Sequence, residues 1–405
     1  MEKMNFIEKF SSGAGYLTSV VGSMLILLIT GHILLGVASE YSDGKKVDKR
    51  IETPVYDDYP GSRELWSELE IKNRMHFEPY YHWRHDPFQG QYVNVSEEGV
   101  RRTLPLVNSR GAEKIFIFGG STLWGLGTKD EHTIPSFVQS FMGQGYKVTN
   151  YGQPGFVATQ ELNLLLQQLA LGNIPDVVIF YDGVNDGYAG VYSPAIPRDV
   201  MNLRMNRKKS REEKDSFWLG LFKKSNYSDI RFFKKISNSL TGKVSKDEWG
   251  KKIEGDITSN SKSVVGFYEA HIKQVNALAR EYGFKVFFLW QPNLLSGTRH
   301  MLGYEEAIFD DERPIFVESQ RQVYVDAKAA FSGREDENIY FLGDIFNDQK
   351  IPVYIDYCHM GPAGNEIIAR RMVDIIKEQP SSWLPKPAAV PDSERVTSSS
   401  LFQQL

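Results

Sequence analysis

Five positions in this 405-residue chain carry side chains or backbone groups whose types and spacing can do chemistry together. Ser121 follows Gly119-Gly120 and precedes Thr122, with Gly125 and Gly127 close behind. Glycine permits a tight backbone and removes steric cover, so a hydroxyl here can face forward as a nucleophile. Alone, the same letters are a common strand-to-loop junction. Gly155, in Gln153-Pro154-Gly155-Phe156, can present a bare backbone N–H to a developing oxyanion, or it is an ordinary Pro-Gly turn. Asn185, in Gly183-Val184-Asn185-Asp186-Gly187, can add its side-chain amide to the same oxyanion, or it belongs to a turn rich in Asn, Asp and Gly. In Asp356-Tyr357-Cys358-His359 a carboxylate stands three residues before a histidine. It can accept the Nδ1–H, fix the tautomer and leave Nε2 as a base. Read separately, Asp356 is a turn residue at the start of a helix and His359 a partly buried structural histidine.

Other candidates carry less. Cys358 beside His359 suggests a Cys–His pair, but adjacent residues of an extended segment point to opposite faces, so Cys358 reads as packing. Trp124, after Ser121, and Trp290-Gln291, after a later apolar run, can line the cleft and stack on sugar rings, although core or rim packing suits each one individually. His82 and His85 have no second pair of ligands at metal spacing, so neither a metal nor a cofactor is expected.

The elements that would position these groups are legible. Short apolar runs at Ile115–Phe118, Lys147–Asn150, Val177–Tyr181, Val286–Trp290 and Ile339–Leu342 read as buried strands. Between and after them, Thr133–Met142, Thr159–Leu171, Ser263–Tyr282, Glu312–Phe331 and Gly364–Lys377 read as helices. Strands separated by helices imply an α/β fold of three layers, α/β/α, with a parallel sheet of about five strands covered on both faces. In such sheets ligands gather at the carboxyl ends of the strands, which is where Ser121, Gly155 and Asn185 fall. Residues 76–110, with His76-Phe77, Tyr80-Tyr81-His82-Trp83, Phe88 and Tyr92, read as a small aromatic β-platform after a charged stalk over 40–75.

A Ser, a Gly, an Asn and an Asp-x-x-His in this order resemble the SGNH/GDSL hydrolase family over about residues 112–378. Ser121 matches the block I serine, Gly155 the block II glycine, Asn185 in Gly-Val-Asn-Asp the block III asparagine, and Asp356 and His359 the block V pair. Block I departs from the family, reading Gly-Gly-Ser-Thr where Gly-Asp-Ser is usual. That Asp is outside the family's catalytic set, so the set is complete. The resemblance implies a flavodoxin-like sheet and a serine esterase. In it Ser121 is the nucleophile, His359 the base and Asp356 its orienter. The N–H groups of Ser121 and Gly155 and the amide of Asn185 form the oxyanion hole. It covers neither the N-terminal segment nor the aromatic platform.

Composition excludes several classes. One cysteine rules out an intrachain disulfide framework. With 24 Phe, 20 Tyr and 7 Trp the chain is not globally disordered. A net charge of -4 names no nucleic-acid partner. The average hides two local departures. Residues 16–38 contain no charged side chain and, at about 1.5 Å per residue, are long enough to span a bilayer core. They are expected to form a single N-terminal membrane helix, with a cleaved signal peptide or a buried core helix as alternatives. Lys3 and Lys9 precede the run while Lys45, Lys46, Lys49 and Arg50 follow it, a bias that read literally keeps the C-terminal side in the cytoplasm; against it, long domains translocate largely regardless of nearby charge, so an extracytoplasmic catalytic domain is expected with the orientation open. Residues 198–252 carry 16 Lys/Arg against 7 Asp/Glu, a basic insertion that is either a solvated appendage or a lid toward an anionic polymer or membrane surface. The expected organisation is an anchor over 1–39, stalk and platform over 40–110, a hydrolase domain over 111–378 and a disordered tail over 379–405. The expected substrate is an O-acetylated cell-surface or exported polysaccharide. A lipid or lysophospholipid ester, acetyl transfer to a glycan, and a non-catalytic glycan-binding scaffold are the alternatives.

Overall fold

Val177–Asp182 is a run of six buried residues, and an apolar run of that length needs cover on both faces. In the computed structural model it is the middle strand of a five-stranded parallel sheet of order β6-β5-β7-β8-β9. These strands are β5 (Glu113–Gly119), β6 (Tyr146–Asn150), β7 (Val177–Asp182), β8 (Lys285–Trp290) and β9 (Ile339–Phe341). The sequence-predicted strands agree with them to within two residues at each end. Side chains alternate between the faces. Phe116, Phe118, Val178, Phe180, Val286 and Phe288 enter one core cluster. Ile115, Ile117, Val177, Ile179, Phe287 and Leu289 enter the other.

The described residues are 48–69, 74–107, 111–192, 256–296 and 299–378, plus the single helical positions 20, 23, 27 and 30. The predicted span otherwise, the basic insertion 198–252 and the tail 379–405 lie outside them. Among the described residues no helix is long and apolar enough to cross a membrane.

On the first face α4 (Ala158–Ala170), α6 (Ile257–Tyr282) and α8 (Pro314–Phe331) bury Leu164, Leu165, Val264, Tyr268, Ile272, Val323, Tyr324 and Phe331. On the second, α3 (Ile134–Met142) and α9 (Pro362–Glu378) bury Ile134, Val138, Ile368, Met372 and Val373. Two predicted boundaries move. Helix α6 begins at Ile257, because the Asp256 side chain caps it by accepting from Ser259 N at 2.9 Å; the polar first turns had hidden its start. The single helix expected over 312–331 is preceded by a separate one, α7 (Gly303–Asp310), and itself starts at Pro314, a residue suited to a first turn. Two further helices were not foreseen, the short α2 (Ser121–Trp124) and α5 (Val184–Tyr192).

The platform is two hairpins, β1 (Met75–Glu78) with β2 (His82–His85), and β3 (Phe88–Gln89) with β4 (Asn94–Val95). Residues 49–69, read as stalk, are folded. Turns at Lys49–Glu52 and Pro54–Tyr56 lead into α1 (Ser62–Glu68), which buries Leu65 and Trp66. Tyr56, Leu65 and Trp66 form a third apolar cluster with Val93, Val95, Trp124 and Ile355.

Candidate active site

Ser121 is the first residue of α2, directly after β5. Thr122, Leu123 and Trp124 are all buried, so the turn is anchored from behind and Ser121 is left half-buried. Its N–H is one of the donors that a helix start leaves without an intrahelical acceptor. Gly120 is extended (φ -81°) and lies against Asn185: a Cβ there would overlap the Asn185 amide nitrogen. A side chain at 120 would therefore have to displace the Asn185 amide.

His359 sits in a tight loop closed by Ile355 N donating to His359 O at 2.9 Å. Its Nε2 is 2.7 Å from Ser121 Oγ, across 238 residues of sequence. Its Nδ1 is 2.9 and 2.8 Å from the two oxygens of Asp356. With Nδ1–H given to the carboxylate, Nε2 accepts the serine proton. Asp356 Oδ1 also accepts the backbone N–H of Cys358 at 3.1 Å and of His359 at 2.8 Å. Arg50 Nη1 donates to Oδ2 at 3.0 Å. Burial opposes charge on this carboxyl, but the positive potential of His359, these hydrogen bonds and Arg50 outweigh it and hold it well below the usual carboxylate range.

Asn185 is in the first turn of α5 and donates from Nδ2 to Phe156 O at 2.8 Å. Gly155 precedes Phe156 with φ +80°, a left-handed conformation that glycine adopts without strain. Ala158 N donates to Asp186 Oδ1 at 3.0 Å. The Gly155 loop is thus tied to α5 at two consecutive residues, Asn185 and Asp186, which puts Gly155 and Asn185 on one scaffold beside Gly120.

The other predicted residues fall elsewhere. Trp124 and Trp290 are 0% and 1% exposed. Trp124 stacks on His85 at 5.1 Å and lies under the Arg101 guanidinium at 4.4 Å; Trp290 packs edge-on to Tyr268 at 5.1 Å. Both are core residues, so the expectation that they line the cleft is corrected: each ends an element whose inward face the sheet and its neighbours cover. Gln291 is buried too and accepts from Thr122 Oγ1 at 2.7 Å, bracing the Ser121 turn from behind. Cys358 is buried, its thiol pushed up by burial and by Asp356. Among the described residues Asp356, Cys358 and His359 present donor atoms within 4.8 Å of one another, a spacing open to a metal ion. In this geometry the carboxylate is already committed to His359 and Arg50, and the neutral thiol is a poor ligand.

Sequence reasoning missed three supports. Arg50 was counted only as a charge flanking the apolar run. Arg101 is completely buried, paired with Asp130 at 3.1 Å, and donates to the carbonyls of Trp124, Gly125 and Thr128, so it grips the loop behind Ser121. Glu161, Asp182 and Asp186 form a buried acid group under the Gly155 loop. Burial pushes all three up, Asp182 adding to the effect on Glu161 and Asp186 to that on Asp182, and Asp186 reaches about 6. Asp186, directly after Asn185, was the only letter that pointed there.

No family model and no curated protein matches the chain. Solved structures do. An acetyl xylan esterase, AlAXEase, aligns with a TM-score of 0.32 and 14% identity over 65% of this chain and 99% of its own. A carbohydrate acetylesterase family member from Sinorhizobium meliloti aligns with a TM-score of 0.35 and 14% identity over 65% and 97%. A member of the lipolytic protein G-D-S-L family from Veillonella parvula DSM 2008 aligns with a TM-score of 0.34 and 13% identity over 66% and 100%.

Proposed function

We propose that this protein is a serine esterase of the SGNH/GDSL type acting on acyl esters of a glycan, most simply O-acetyl groups. The single observation that carries the reading is Ser121 Oγ at 2.7 Å from His359 Nε2 while Asp356 holds Nδ1. Ser121 Oγ attacks the acyl carbonyl as its proton passes to Nε2, and Asp356 stabilises the imidazolium. The carbonyl oxygen becomes an oxyanion held by the N–H groups of Ser121 and Gly155 and by Asn185 Nδ2, each donor contributing about 3 kcal/mol to the transition state. The alkoxide leaves with the proton from His359. Water, deprotonated by His359, then attacks the acyl-enzyme, the acyl–Oγ bond breaks as His359 returns the proton to Ser121 Oγ, and the carboxylic acid is released. No cofactor enters the sequence.

The glycan reading is supported by the β1–β2 hairpin, where Phe77 is 56% and Tyr80 80% exposed. Aromatic faces held open to solvent suit sugar rings. The hairpin is docked on α4, the helix that leaves the Gly155 loop, through Asn163 Nδ2 to Tyr80 O at 3.0 Å and Gln160 Nε2 to Tyr81 O. Residues 16–38 are read as a membrane tether, with the catalytic domain outside the cytoplasm.

A fluorophosphonate probe on the full-length protein tests the chemistry, and acetate release from an acetylated polysaccharide tests the substrate. Wild type is labelled and Ser121→Ala is not; His359→Ala loses hydrolysis of an activated acetyl ester. Labelling that persists in Ser121→Ala, or wild-type turnover in His359→Ala, refutes the assignment.

A further inference from the structure

We infer that Arg50 is a positioning residue for the Asp356–His359 pair, and that the folded segment 49–69 exists in part to deliver it. The inference rests on the serine-hydrolase reading above. Asp356 Oδ1 is occupied by the N–H groups of Cys358 and His359 and by the imidazole, all from its own loop. Oδ2 meets His359 Nδ1 and one group from outside that loop among the described residues, Arg50 Nη1, 306 residues away in sequence. A carboxylate held only by its own loop can pivot about its side-chain torsions; a charge-assisted bond from a separate element fixes its plane.

The guanidinium is itself fixed. It lies 4.4 Å over the ring of Trp66, a buried residue of α1, an arrangement favourable to a cation. The segment is fastened to the loops that carry the triad. Tyr56 Oη donates to Gly127 O at 2.8 Å, six residues past the nucleophile. Tyr59 Oη accepts from Lys129 N at 3.1 Å and contacts His132 Nδ1 at 2.8 Å. Val55 lies against Gly361, two residues past His359. Arg50 thus reaches the carboxylate from a strap joining the nucleophile loop to the Asp-x-x-His loop.

Electrostatics supply a readout that mere structure does not. Arg50 and a protonated His359 are two cations on one carboxylate, so Arg50 opposes proton uptake by the pair. Among the described residues, ionisable groups close by include Cys358 and Tyr56, both pushed up by burial, and Glu312, pushed up by burial and then by Asp356 and Asp311.

The test is steady-state hydrolysis of an activated acetyl ester by the full-length protein across pH, with unfolding followed in parallel. Arg50→Gln is expected to lose about tenfold in kcat with KM little changed, the loss of one partly exposed charge-assisted hydrogen bond. The acid limb of kcat/KM moves to higher pH by about 0.5–1 unit, the effect of removing a cation about 6 Å away in a solvent-accessible site. Arg50→Lys, which keeps the charge, returns the limb toward the wild-type position, and Glu312→Gln leaves the Arg50 effect intact. An active wild type with kcat and the limb unchanged in Arg50→Gln overturns the inference alone. A change in KM or stability with the limb fixed also overturns it, since Arg50 would then only hold the segment in place. A wild type without hydrolysis overturns the esterase reading and this inference with it.

Discussion

Alanine at Gly120 adds one methyl group at the closest approach between the nucleophile turn and the Asn185 amide. The backbone tolerates it, because φ of -81° and ψ of -155° are ordinary for any L-residue. The side chain does not fit: its Cβ would overlap Asn185 Nδ2 while standing 3.4 Å from Asn185 Cγ and 3.7 Å from Phe156 O. Ordinary contact between such atoms begins near 3.5 Å, so Nδ2 must retreat by about 1 Å. That retreat breaks its 2.8 Å bond to Phe156 O and takes it off the oxyanion. An oxyanion donor is worth about 3 kcal/mol, so kcat should fall about 10²–10³-fold. KM should hardly move, because the ground-state carbonyl gains little from the donor. The assay is steady-state hydrolysis of an activated acetyl ester by wild type, Gly120→Ala, Asn185→Ala and the double variant. If both single changes act through the same amide, the double variant is no worse than Asn185→Ala. Gly120→Ala within threefold of wild-type kcat, or fully additive losses, would refute the reasoning.

Other perturbations follow from buried groups outside the triad. His271 is packed edge-on to Phe180 at 4.7 Å, neither ring nitrogen has a hydrogen-bond partner among the described residues, and burial holds its pKa down at about 3. Between that value and the unfolded one near 6.5 only the unfolded chain takes up the proton, so stability present above pH 6.5 is lost as pH falls. His271→Phe should therefore stabilise the protein by about 2 kcal/mol more at pH 5 than at pH 8 in denaturant unfolding; an equal gain at both pH values counts against this account. Arg101→Met strands Asp130 and three carbonyls in the interior and should cost about 3–5 kcal/mol of stability; a loss under 1 kcal/mol would mean that the loop behind Ser121 is held by other contacts.

The strands and the helices facing them were legible, and the five candidate positions could be named, for a common reason. Each is written in local letters: apolar runs of strand length, apolar stripes of helical period, and Gly, Asn or Asp-x-x-His just past them. Helix α6 escaped over its first turns because its cap, Asp256, begins a polar stretch with no apolar stripe. The two tryptophans stayed open between cleft and core because a tryptophan at a strand end or turn looks the same whether it faces a cleft or the next layer. Trp290 became core through Tyr268, Tyr324 and Phe331, from helices that sequence order alone does not set beside it.

Sequence by itself determined the element types, the parallel three-layer class and the order of the chemical groups along the chain, since periodicity and turn chemistry act over a few residues. Only the tertiary structure decided the strand order β6-β5-β7-β8-β9, the meeting of Ser121 with His359 across 238 residues, the reach of Arg50 to Asp356 across 306, and the close approach of Gly120 to the Asn185 amide. Those depend on which distant surfaces are buried against one another, and burial is a property of the whole fold rather than of any window of sequence.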